Sequence, residues 1–338
     1  MEGIRAHDAQ FEYVGSIARF LELEDEWDDL EQRSDAHIFQ NHRFIRSWVE
    51  TVGRQTDVRL AIVLYRENGT LQAVFPCCIV KRMGIPNLTW LGGFNIDYGD
   101  IVFDFASSLR LADFLDHAFA LLKKRTGLHA CFLDNVREDA SIYEYLRTRF
   151  RRYRIGVAPY VRIDGSFEQY CDSLKVFRKK MKSDTQRQVR RLAALGPLEF
   201  HICRKDDQDI ERVVGTFISQ KTARLQAQDR TGAIEQPGYS DLLITEAKRN
   251  PHTHLSYLSL NGDIIAIHFG YLFKNRRMYY YMPSFADDYG GYSPSRVLVY
   301  KLLEHCFRQG IQVFDFTIGD EPYKYDWTRD EVATISFM

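Results

Sequence analysis

The stretch FDFTIGDEPYKYDW, residues 314–327, decides how the second half of the chain is read. Phe314, Phe316 and Ile318 alternate with Asp315 and Thr317, the period-two pattern of a strand. At Gly319 the pattern breaks into Asp320, Glu321, Pro322, Tyr323, Lys324, Tyr325, Asp326 and Trp327. A strand that merely closes a fold needs neither a carboxylate in its middle nor an exit this rich in charge and rings.

Working outward, a helix over about 295–309, ended by Gly310, leads into this strand, and the loop ADDYGGYSPS precedes the helix. Before the loop come strands at 254–260, 263–273 and 277–285, the first two joined by Asn261-Gly262, a strong hairpin signal. Earlier still are a strand at 198–203, a helix over 206–225 with Asp206 or Asp207 near its start, and a helix over 239–250 stopped by Pro251. The order is strand, helix, helix, three strands, helix, strand. The first half repeats it: helices at 16–34 and 43–52, strands at 57–65 and 71–80 across Asn68-Gly69, a strand at 88–91, a helix at 107–125 and a strand at 129–134. The expectation is an α/β (α+β, mixed-sheet) protein of two like domains in tandem, 1–160 and 161–338.

The chain has 338 residues, ample for two cores, and 14% aromatic residues. Lys plus Arg is 45 and Asp plus Glu 46, a net charge of −1, so no nucleic-acid partner is expected. Its six cysteines show no CxxC or zinc spacing and read as reduced core residues; no metal site is expected. No apolar signal region and no run of 18 apolar residues occurs, so a cytoplasmic location is expected, with the inner face of the membrane as a peripheral contact.

That contact would use KVFRKKMKSDTQRQVRRLAALGP, residues 175–197, where Phe177, Met181, Val189 and Leu192 recur at near-helical spacing. Between Lys175 and Arg191 stand eight basic residues against one acid, Asp184. Two readings stand: a solvated helix face, or a contact with phosphates on a substrate, a coenzyme or lipid headgroups.

The element order of the second half is that of GNAT acyltransferases, in which a thioester coenzyme lies in the splay between two central strands. Its pyrophosphate rests on a helix N-terminus, where orphan amides and the helix dipole favour an anion. The matching positions are Gly290, Gly291, Ser293, Ser295 and Arg296, with Pro294 in the first helical turn. YSPSRVL, IIAIHFG and FDFTIGDEPYKYDW together resemble the CelD-like acetyltransferase family, a GNAT branch linked to cellulose and exopolysaccharide synthesis and similar to the Fem-type tandem GNAT transferases. HIFQNHRFIRSWVE (37–50), RKKMKSDTQRQVRRL and SQKTARL (219–225) extend the resemblance over most of the chain. The family usually has Pro-Gly where this chain has Pro294-Ser295.

The resemblance implies transfer of an acyl group from acyl-CoA, a co-substrate rather than a bound cofactor, to an amine. Such a reaction needs a base for the amine, donors for the oxyanion and an acid for the departing thiolate. His268, in the middle of an apolar strand, is the first candidate base, set against a buried core histidine. Asp315 is the second, as base, as the group orienting His268 or as the group positioning the substrate amine, set against a structural ion pair with Lys324 or Arg296. Tyr323 is the candidate acid, and Lys324 a candidate contact for phosphate or substrate carboxylate. Gln220, Lys221 and Arg224 are candidate acceptor contacts. The acceptor implied is an amine of a cell-envelope precursor, either an amino sugar of exopolysaccharide or a lipid amine. Long-chain transfer to a sphingoid base, as in bacterial ceramide synthesis, is the fork within this class. An aminoacyl-tRNA-dependent Fem-like transferase and a non-catalytic partner in a polysaccharide synthase complex are the alternatives outside it.

Overall fold

The computed structural model describes residues 9–82, 84–204, 208–227, 229 and 231–338, so the expected helix start at Asp206 or Asp207 lies outside the described residues. The chain divides into two compact units, 1–156 with 332–338, and 157–331. In order, the elements are β1 (Ala9–Val14), α1 (Ile17–Leu21), α2 (Glu24–Gln32), α3 (His42–Glu50), β2 (Val58–Glu67), β3 (Thr70–Arg82), β4 (Ile85–Trp90), β5 (Val102–Phe103), α4 (Leu111–Thr126), β6 (Ala130–Arg137), α5 (Tyr143–Arg149) and β7 (Arg152–Arg162). There follow α6 (Phe167–Ser173), α7 (Met181–Ala193), β8 (Leu198–Ile202), α8 (Ile210–Ala227), α9 (Tyr239–Arg249), β9 (Thr253–Leu260), β10 (Asp263–Phe273), β11 (Arg277–Phe285), α10 (Pro294–Gln309), β12 (Val313–Asp315) and β13 (Glu331–Phe337).

In the first unit the strands run β1-β2-β3-β4-β6-β13, with β5 paired to β3. All neighbours are antiparallel except β4 and β6, which are parallel across α4. In the second the order is β7-β12-β11-β10-β9-β8, antiparallel except for β11 and β12, parallel across α10. The same plan, three antiparallel strands followed by a crossover helix and a parallel strand, thus occurs twice. It is a mixed α/β fold.

Local chemistry explains the turns. Asn68-Gly69 (φ 51° and 79°) and Asn261-Gly262 (φ 54° and 87°) take the left-handed angles of two-residue hairpins. Pro294 opens α10 at the position where its missing N–H costs nothing, and Gly310 (φ 68°) closes it. In the second unit α10 packs on β9, β10 and β11, while α8 packs on β10 and β11. Met278, Tyr280, Phe314 and Phe316 join the α10 core. Phe269 meets Phe217 of α8, with ring centroids 5.9 Å apart, on the opposite face.

Three expectations change. The expected single helix over 16–34 is two, because Ser16 caps a short α1 that ends at Leu21 before α2 begins at Glu24. The expected basic helix from 175 begins at Met181. The decisive strand ends at Asp315 rather than Ile318, because Thr317 takes φ 58°, an angle that breaks a strand.

Candidate active site

That early ending shapes the second unit. β11 pairs with β12 only at Arg277–Val313, Met278–Phe314 and Tyr279–Asp315, although β11 itself runs on to Phe285. Beyond Asp315 the chain follows β7 instead: Phe316 N donates to Pro159 O at 2.9 Å and Gly319 N to Val157 O at 2.9 Å. The two parallel strands therefore splay from Tyr280 onward. α10 starts after β11 ends, so its N-terminus belongs to the open end of the splay. Ser293 stands at its N-cap with φ 51° and ψ 54°, and its side chain makes no capping bond. Ser295 Oγ is enclosed without a protein partner, which suits a hydroxyl awaiting an acceptor.

The sequence-predicted residues divide into three groups. His268 and Asp315 are both fully buried, but on opposite faces of the sheet. His268 stacks on Tyr280 at 4.8 Å, and Tyr280 meets Phe314 at 5.7 Å, so Asp315, the next residue in its strand, points the other way. Asp315 therefore does not orient His268. Its Oδ2 accepts from Arg277 Nη1 at 2.8 Å and its Oδ1 from Thr317 N at 2.9 Å. The ion pair is with Arg277, not with the expected Lys324 or Arg296. His268 Nε2 lies 3.1 Å from Tyr279 O, and burial drives its pKa well below the usual imidazole value. An enclosed, neutral ring has no direct path to a substrate amine.

The turn residues are the second group. Lys324 is 2% exposed, and its Nζ donates to Ile318 O at 2.7 Å and to Thr317 O and Gly319 O at 3.3 Å, with Glu321 Oε2 at 2.9 Å. It ties the turn together rather than offering a charge to a ligand. Arg296 is held by Asp326 at 2.6 Å, and Asp326 also binds Arg178 at 2.9 Å. Gly290 and Gly291 lie in a short 3-10 turn, where a Cβ at Gly291 would meet nothing within 4 Å, so no close approach demands glycine there. Tyr323 is 39% exposed, at the splay beside Phe316 (6.4 Å), and burial with the nearby Glu321 charge pushes its pKa up. Its phenol stays protonated and able to donate.

On the α8 face, Gln220 Nε2 donates to Ile264 O at 3.1 Å, and its Oε1 accepts from Ser284 Oγ at 2.8 Å. Arg224 lies 4.5 Å over the ring of Phe285, at the end of β11. Lys221, half-buried near Phe217, is brought down to about 8 by burial and by the Arg224 charge, against the pull of Glu321. These three do share one flank of the splay.

Half of the basic segment's eight cations pair with acids within its own unit. Lys175, Arg178, Lys182 and Arg187 face Asp172, Asp326, Glu168 and Asp184, and Arg191 donates to Gly291 O and covers the Tyr292 ring. Sequence reasoning missed Arg277, the partner of Asp315, because a lone arginine at a strand start carries no signal. It also missed Ser284 and Glu321. No group of three or more His, Cys, Asp or Glu that could hold a metal occurs among the described residues. No described helix is long and apolar enough to cross a membrane.

Residues 179–325 match the profile of a family described as an acetyltransferase (GNAT) domain. No curated protein matches the sequence. Among solved structures, the fold is similar to that of FemX, with TM-score 0.66 and 12% identity over 97% of this chain and 96% of that one. It is similar to the C-terminal domain of a protein named as a lysylphosphatidylglycerol synthetase of Agrobacterium fabrum, with TM-score 0.60 and 11% identity over 94% and 92%. It also resembles a tandem GNAT protein from the clavulanic acid biosynthesis pathway, with TM-score 0.52 and 12% identity over 97% and 98%. At these identities the likeness is one of fold, and that fold is of the GNAT acyltransferase type, with tandem GNAT proteins among its neighbours.

Proposed function

We propose that the second unit transfers an acyl group from a CoA-type thioester to an amine of a cell-envelope precursor that also carries an anionic group. The observation that carries this reading is the splay of β11 from β12 with the N-terminus of α10 at its open end. An extended thioester arm fits between strands that have stopped pairing, where free backbone groups can bond it. Its phosphates fit the positive end of α10, and Ser295 Oγ supplies a further donor. Tyr323 donates to the departing thiolate.

The acceptor enters along α8. Lys221 and Arg224 are neighbouring cations, and their mutual repulsion is part of what lowers the pKa of Lys221. An anion placed between them relieves that repulsion, which is why the acceptor is assigned a phosphate or carboxylate besides its amine. An amino sugar phosphate and a zwitterionic lipid amine both satisfy this.

The test is thiol release from acetyl-CoA and from palmitoyl-CoA with an amino sugar phosphate, a lipid amine and a sphingoid base. Amide formation is expected with one donor, and with acceptors that carry an anionic group before those that lack one. Absence of thiol release with every pair, from protein that is folded, sinks the proposal. An aminoacyl-tRNA donor, drawn from the Fem-type resemblance, is the second reading, and an arm with charged tRNA distinguishes it.

A further inference from the structure

The first unit repeats the plan of the second, so a second thioester site would stand where β6 leaves β4, at the N-terminal end of α4. The chain itself fills that place. Past the last β4–β6 pair, Thr89–Phe132, the Trp90 indole donates to Asp134 O at 2.9 Å and Gly99 N donates to Asn135 O at 3.1 Å. Two of the β6 carbonyls that an extended ligand arm would meet are thus taken.

The first unit opens instead at the other end of its sheet. β1 stops pairing at Val14–Ile62, while β2 begins at Val58 and is paired there only with β3. The edge is notched: among the described residues, 58–61 have no strand on their β1 side. A pocket of about 400 Å³ occupies the notch, at the C-terminal ends of α3 and α4. Ile17, Trp48, Val49 and Leu60 give it an apolar wall, and Arg54, Arg59 and Arg125 stand around it. Tyr13 also lines it, and its hydroxyl donates to Leu60 O at 3.1 Å. A Cβ at Gly15 would strike the Tyr13 ring at 2.8 Å, so glycine is what lets that ring fold back over the end of β1. Arg59 of β2 and Arg125 of α4 both lie near enough to the Tyr13 hydroxyl to act on it electrostatically.

The pocket is marked by unbalanced charge. Arg19, Arg33, Arg43, Arg46 and Arg66 of the same unit are each held by a carboxylate. Arg54, Arg59 and Arg125 have no carboxylate partner among the described residues, and no acid stands in the wall. Asp57, between two of them in sequence, lies 3.8 Å from Lys81. The ends of α3 and α4 each contribute about half a negative charge, which leaves about two of the three positive charges uncompensated. In a chain of net charge −1 such an excess is a local feature and not a basic surface in general.

We propose that this pocket binds a phosphorylated small molecule. A phosphate monoester dianion matches the uncompensated charge, and guanidinium forks match its oxygens. Its ring or alkyl body lies against Trp48, Leu60 and Ile17. Ile17 is 45% exposed at the mouth, an apolar side chain that such a body covers. A cavity of this size, with an apolar wall and a few convergent polar groups, has the make-up of a small-molecule site. Binding here does not depend on the acyl transfer proposed for the second unit.

Isothermal calorimetry of the whole chain at low salt tests the site, with phenyl phosphate, hexyl phosphate, benzoate, phenol and inorganic phosphate as probes. One of the two organic phosphates is expected to bind about tenfold tighter than inorganic phosphate or benzoate, and phenol not at all. Whichever of the two binds tighter tells a ring from a chain. Arg59→Ala and Arg125→Ala are each expected to weaken that phosphate about tenfold. Both side chains are exposed, so the melting temperature should stay that of the parent. Ile17→Ser is expected to weaken the organic phosphate and leave inorganic phosphate as it was. No saturable binding of either organic phosphate overturns the proposal, as does equal affinity for inorganic phosphate, benzoate or phenol. Binding that survives Arg59→Ala and Arg125→Ala combined places the phosphate elsewhere, in the second unit for instance, and overturns the site. None of these readouts uses a thioester, so failure of the acyl-transfer reading leaves them unaffected.

Discussion

Asp315 gives the sharpest quantitative test. Its carboxylate is completely enclosed, paired to Arg277 and to the N–H of Thr317. Asp315→Ala removes one half of that ion pair and strands the other. Breaking a buried pair in this way costs about 3–5 kcal/mol. The Arg277 side chain is 25% exposed and recovers some hydration, which pulls its share toward the lower bound. The enclosed Thr317 N–H recovers none and adds about 1–3 kcal/mol. The sum stays in the upper part of the pair range, about 4–5 kcal/mol, and for a unit of this size each kcal/mol moves the melting temperature by about 2–4 °C, so a fall of roughly 8–20 °C is expected. Asp315→Asn keeps the shape and an acceptor for Thr317 and loses only the charge, about 1–2 kcal/mol. Scanning calorimetry of the full chain reads both. A melting temperature within 2 °C of the parent for the alanine variant refutes the structural reasoning. The asparagine variant also separates structure from chemistry: kcat within about threefold of the parent is expected, and a loss beyond a thousandfold in a stable, folded protein would make Asp315 a reacting group.

Three further outcomes follow from the site. Lys324→Met leaves the carbonyls of residues 317–319 without their buried donor and Glu321 without its partner, and a destabilisation of about 2–4 kcal/mol is expected in thermal unfolding. Lys221 in the free protein is charged below about 8 and neutral above it, so KM for an anionic acceptor should climb as pH rises through that value. Lys221→Arg, charged throughout, should flatten that climb, and a pH-independent KM in the parent would count against the anion contact. Tyr323→Phe should lower kcat about 10–100-fold with little change in KM, read by thiol release.

Much of the second unit was legible because its signals are local. Asp263–Phe273 and Arg277–Phe285 fall where period-two patterning and Asn261-Gly262 place them, and Gly310 marks the end of α10. The elements that escaped, β1, β5, α5, β7, α6 and β13, are short or depend on distant partners: β13 is defined by pairing with β6, nearly two hundred positions away. The site was legible as a region and not as contacts. Alternation tells that His268 and Asp315 are buried, but not that they occupy opposite faces of the sheet, since that follows from the pairing of three strands. Thr317 misled for a different reason. A β-branched residue in a period-two run favours a strand, and only tertiary structure holds it at φ 58°.

The return of β13 to the first unit has a consequence for synthesis. Domains emerging from the ribosome generally fold from the N-terminus onward, at about 5–20 residues per second. Here β6 receives its antiparallel neighbour only after every residue of 157–331 has been made, a wait of roughly 10–40 s. The second unit, continuous in sequence, finishes its sheet first, while the earlier-born unit exposes one raw strand edge. Such an edge invites misassociation. A nascent chain stalled before residue 331 should therefore bind holdase chaperones through its oldest part, and let go once the last strand is released.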